Sequence, residues 1–122
     1  MIRALSLLLL LLTACGPKAD YLPRPDAVDA FDSRTYDTVL RVSGYIDEAE
    51  KSLSAGTIPP ESADIINSVI DTFNIVRDLA ESYHDLTLVG RTEDAALQRQ
   101  EILLELPNLD RAVTELLELI GL

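Results

Sequence analysis

Cysteine, histidine, tryptophan and positive charge are all scarce in this 122-residue chain: one cysteine, one histidine, no tryptophan, and 10 basic residues against 21 acidic ones. One thiol cannot close a disulfide within the chain or build a thiolate metal site, so the fold must rest on its apolar core. The glycines at 44, 56, 90 and 121 are isolated, so no glycine-rich phosphate cradle exists. A formal net charge of −11 opposes nucleic acid and anionic lipid surfaces by repulsion, and is compatible with a basic partner. The longest apolar run, Ala4 to Leu12 with Ser6 inside it, is shorter than the roughly 20 residues a membrane-spanning helix needs.

That run has a direction. Met1-Ile2-Arg3 gives a short positive start, the leucine run follows, and Leu12-Thr13-Ala14-Cys15 ends it in small residues with the lone cysteine. A charged start, a short apolar core and a small-residue end form a secretory signal with its cleavage site. With the cysteine directly after that site, the segment resembles the lipobox of bacterial lipoproteins. The resemblance covers only the first fifteen or sixteen residues. It implies that cleavage falls between Ala14 and Cys15, that residues 1–14 are a removed signal peptide, and that the Cys15 thiol carries acyl chains into the membrane. Two or three chains would hold almost irreversibly, since each buried methylene adds about 0.8 kcal/mol. Gly16, in place of an aspartate, is similar to the class held in the outer membrane and facing the periplasm, if the host has two membranes.

Removing residues 1–14 would leave about 108 residues, enough for one modest core. Arg3 is the only charge lost, so 21 acidic and 9 basic side chains remain, net −12. Residues 15–25 then form a lipidated, proline-rich tether. At about 3.1 Å per residue it reaches up to roughly 30 Å. Residues 26–122 are the expected domain.

From Asp26 onward the spacing is helical. Asp26 and Asp29 suit a first turn, and Phe31, Thr35, Val39, Val42, Ile46, Ala49 and Leu53 recur at fours and threes on one face. Gly44 interrupts this helix and suggests close approach of a neighbour; Gly56 suits its left-handed end. Pro60 suits the first position of a second helix, whose stripe is Ile66, Val69, Phe73, Val76, Ala80 and Tyr83, ending near Val89 and Gly90. Thr92 with Glu93 and Asp94 opens a third, with Ile102, Leu106, Leu109, Val113, Leu116 and Ile120 on one face and Gly121 at its end. Pro107 falls inside that stripe without breaking its phase, which predicts a helix kinked or split there. The expectation is all-α: an antiparallel three-helix up-down-up bundle, with short turns favouring packing within the chain over a coiled coil between chains.

Little catalytic chemistry can be assembled from these residues. His84, with Glu81 and Asp85 nearby, matches no zinc spacing, and a solvent-facing histidine is expected. Asp47, Glu48 and Glu50 diverge around a helix instead of forming a calcium loop. With one histidine and the only thiol at Cys15, nucleophile triads have too few parts. No metal, cofactor or small-molecule substrate is implied, and the expectation is a non-enzyme. Tyr36 and Tyr45 flank the first helix's main stripe; they either cover the rim of the core or anchor a partner. The expected function is a lipid-anchored interaction or structural adaptor that contacts the membrane through Cys15 and an envelope protein through its helices. The alternative is an inhibitor or exclusion factor that blocks an envelope enzyme, channel or phage, with Thr57–Glu61 and Arg91–Glu93 as its only loops. Wall attachment is disfavoured by the missing basic or sugar-stacking run.

Overall fold

The first helix begins where an aspartate can satisfy a bare backbone N–H. In the computed structural model, which describes residues 26–121, Asp29 Oδ1 accepts a bond from the Asp32 N–H at 2.8 Å. Asp32 answers through Oδ2, which accepts from the Val28 N–H at 3.1 Å. This reciprocal arrangement caps the start of α1 (Ala30–Ala55) and puts negative charge at the positive end of its dipole. Two more helices follow, α2 (Ser62–Leu88) and α3 (Thr92–Ile120), and all regular structure among the described residues is helical.

By contact density the chain divides into two units, Met1–Asp37 and Thr38–Leu122. In the described part of the first, Phe31, Asp32, Ser33 and Thr35 are buried, and Thr35 Oγ1 donates to the Phe31 carbonyl at 2.8 Å. The second unit is a bundle made by the rest of α1 with α2 and α3. Its core joins Val42, Ile46 and Ala49 of α1, Ile66, Val69 and Val76 of α2, and Leu109 and Leu116 of α3. All eight stand at the positions the helical period assigns to the inner face. Val39, Leu53, Phe73, Leu106, Val113 and Ile120, also expected on these faces, are partly buried against them.

Both turns close by the same device. Gly56 adopts φ +76°; its N–H donates to the Leu53 carbonyl at 3.2 Å and the Thr57 N–H to the Ser52 carbonyl at 3.0 Å. Gly90 at φ +81° repeats the pattern, with Gly90 donating to Thr87 at 3.1 Å and Arg91 to Leu86 at 2.9 Å. Each pair satisfies carbonyls that a helix end would otherwise leave bare. The left-handed backbone this needs is cheap only for glycine.

Two local expectations change, and a third narrows to one of its two alternatives. Pro60 does not open α2: Ser62 donates to the Pro59 carbonyl, Ala63 to Pro60 and Asp64 to Glu61, a tighter turn that delays the helix to Ser62. Gly44 is exposed, and a methyl group there would meet nothing within 4 Å, so it is not a point of helix approach. It lies two residues from both Val42 and Ile46, about 200° around the helix from each, which places it opposite the core. Pro107 lies inside α3, which continues through it as one helix instead of splitting into two. Its position explains the tolerance: Pro107 is exposed, so water can reach the backbone whose hydrogen bond it removes.

The glycines therefore respond to the same substitution with opposite signs. Gly44→Ala should raise unfolding stability by about 0.5–1 kcal/mol, and Gly90→Ala should lower it by about 1–2 kcal/mol. Urea midpoints of the two variants check this, and a loss of stability in Gly44→Ala would contradict the exposed placement.

Candidate docking groove

Because α1 and α3 share a core, their outward shoulders leave a channel between them. This groove, of about 690 Å³, is walled by Thr38, Arg41, Val42 and Tyr45 of α1. From α3 come Leu103, Leu106, Pro107, Leu109, Asp110, Val113, Thr114 and Leu117. Helical geometry selects these residues: positions three or four apart share a face, so the row beside each core stripe becomes a wall. Val42 and Leu109 form the buried floor, while Leu103 is 51% exposed at the rim. An apolar floor with Arg41 on one side and Asp110 on the other can hold an amphipathic partner in a fixed orientation.

The two tyrosines of the sequence reading separate. Tyr45 is half-buried, packs against the core and also lines the groove, so it covers the core rim and is available to a partner at once. Tyr36 is half-buried and belongs to the first unit. Ala14, Cys15 and the rest of the lipobox segment, together with the tether, lie outside the described residues.

The sequence reading passed over Arg41, Leu103, Asp110 and Thr114. The signal for Leu103 was present: it stands one residue off the Ile102–Leu106–Leu109 stripe, and a leucine off the core phase is an exposed leucine. Leu97 and Leu104 are the same case, 58% and 70% exposed.

His84 departs from expectation. It is 5% exposed, not solvent-facing. The cause is its register: it follows Ala80 by four residues and Val76 by eight, which keeps it on the inner side of α2. Among the described residues, no group of three or more histidine, cysteine or acidic side chains is placed to hold a metal ion, and no helix is long and apolar enough to cross a membrane.

Both candidate plug loops have structural work. Ile58 packs against the core, and Thr57 Oγ1 donates to the Ser52 carbonyl at 3.1 Å. Arg91 pairs with Asp94 in the first turn of α3. No protein family, curated protein or solved structure matches the chain.

The wall and the floor of the groove should respond differently to a polar side chain. Leu103→Ser, at the rim, should change stability by no more than about 0.5 kcal/mol. Leu109→Ser, two turns along but 2% exposed, should cost about 3 kcal/mol or more by cavity formation and an unpaired hydroxyl. Thermal melts followed by circular dichroism measure both, and equal losses would place Leu103 in the core.

Proposed function

We propose that this protein is a lipid-anchored, non-enzymatic adaptor of the bacterial envelope, held to the membrane through Cys15 and presenting the α1–α3 groove to another envelope protein. The observation that carries this reading is the order of residues 1–15: charge, leucine run, small residues, cysteine. The proline-rich segment 16–25 spaces an up-down-up bundle from the bilayer. The excess of acidic side chains lifts it off an anionic surface and keeps it soluble at high local concentration. Anchoring turns a weak groove contact into an effective one, because partner and adaptor then share a thin layer of space. In a two-membraned cell Gly16 favours the outer membrane, with the bundle in the periplasm.

The groove supports adaptor over inhibitor. An inhibitor would need a projecting loop to enter its target, and the two loops are occupied by turn bonds and core contacts. A concave, half-apolar face between two helices suits a protein surface that is received, not inserted.

Anchoring is tested directly. Cells fed an alkyne-bearing fatty acid should label the native protein, and it should sediment with membranes. Cys15→Ser should lose the label and leave the membrane pellet. Continued labelling of that variant would remove the lipobox reading.

A further inference from the structure

We infer that the α2–α3 turn touches the bilayer that holds Cys15, with Leu88 and Val89 entering the headgroup layer of a zwitterionic phospholipid surface. This rests on the anchor reading and adds to it which end of the bundle meets the membrane.

Connectivity comes first. Residues 56–61 join α1 to α2, and residues 89–91 join α2 to α3. Fully extended, the longer link covers about 20 Å, half the roughly 40 Å of α2. Helices that share one core through such short links run in opposite directions. The second unit therefore receives its chain, at Thr38, at the end where α2 turns into α3. Upstream of that point, 22 residues separate Thr38 from Cys15. An anchor at Cys15 draws on this end of the unit.

Apolar surface is gathered at the same end. Leu88 and Val89 are 65% and 70% exposed at the turn itself, and the exposed Leu97 follows about one and a half turns into α3. Leu40, Ile75, Leu103 and Leu104 lie nearer mid-bundle. Among the described residues, no exposed large hydrophobic stands within about 18 Å of the α1–α2 turn. That other turn is the contrast, since its apolar residue, Ile58, is half-buried against the core. The Leu88–Val89 tip can also enter an interface without carrying bare donors into it. The Val89 N–H donates to the Asp85 carbonyl at 3.2 Å, and the Gly90 and Arg91 N–H groups donate to Thr87 and Leu86.

Charge selects the lipid. Asp85 and Glu93 are exposed beside the tip, and Arg91 is paired with Asp94, so an anionic surface repels this end. A zwitterionic surface adds no such repulsion and offers ammonium groups to the carboxylates. Two apolar side chains hold a bilayer only weakly by themselves. The tether supplies the effective concentration that makes the contact persist.

The chain has no tryptophan, so Val89→Trp gives a single fluorescent reporter. The protein, purified from bacterial membranes, is reconstituted into phosphatidylcholine vesicles with and without bromine on the acyl chains. Mass spectrometry of the same sample reads the acylation of Cys15. Brominated lipid should quench Val89→Trp emission at least twofold and leave Ile75→Trp and Thr57→Trp unchanged. Adding Leu88→Asp to the Val89→Trp chain should abolish the quenching, and replacing half the lipid with phosphatidylglycerol should reduce it. Unquenched Val89→Trp, equal quenching at all three positions, or quenching that survives Leu88→Asp would each overturn the inference. An acylated Cys15 with unquenched Val89→Trp removes the tip contact and leaves the anchor standing. A bare Cys15 removes the anchor and the inference with it.

Discussion

Everything else in this molecule depends on one seam of side chains removed from water. Ala49, Val76 and Leu116, one from each helix, have no measurable exposure, and Ile66, Val69 and Leu109 are nearly as dry. No disulfide can share the task, because the chain has a single cysteine. Each large buried side chain contributes about 1.5–3 kcal/mol, and the seam must outweigh the entropy of ordering three helices. Ala49 is the small member of the set, and small residues let helix axes come close. Once α1 and α3 meet along this seam, the rows of residues beside it must diverge. The groove is therefore a by-product of the core's own geometry.

What the sequence made legible follows from period alone. Val42, Ile46 and Ala49, then Ile66, Val69 and Val76, then Leu109 and Leu116 were readable because fours and threes bring residues to one side of a helix. The glycines at 56 and 90 were readable because a left-handed residue after an apolar stripe has few other uses. The misreadings have physical causes too. His84 was judged by residue type, whereas its register places it on the inner side of α2. Gly44 was read for its missing side chain, whereas its angle from Val42 points it at solvent. Pro60 has the right dihedral for a helix start, yet the preceding Pro59 carbonyl is used first, by Ser62.

The groove was less legible than the core, and for a general reason. A core position is defined by one helix's periodicity; a groove wall is defined by how two helices meet. Nothing local to Arg41 or Asp110 announces that they stand on opposite sides of the same channel. Leu103 and Leu104 did carry a trace, as leucines out of phase with the stripe beside them. The proposed function follows the same division. An anchor motif can be written in four consecutive residues, whereas a docking surface is spread over two helices far apart in the chain.

The central claim is that an anchored bundle uses its α1–α3 groove, and no other face, to hold another envelope protein. Site-specific photocrosslinking in living cells addresses it most directly, with the photoreactive residue placed at Leu103 in one strain and at Ile75 in another. The account predicts a discrete crosslinked product from Leu103 and none from Ile75, and loss of that product when Cys15 is replaced by serine. Equal products from both positions, or a Leu103 product that persists without Cys15, would contradict it.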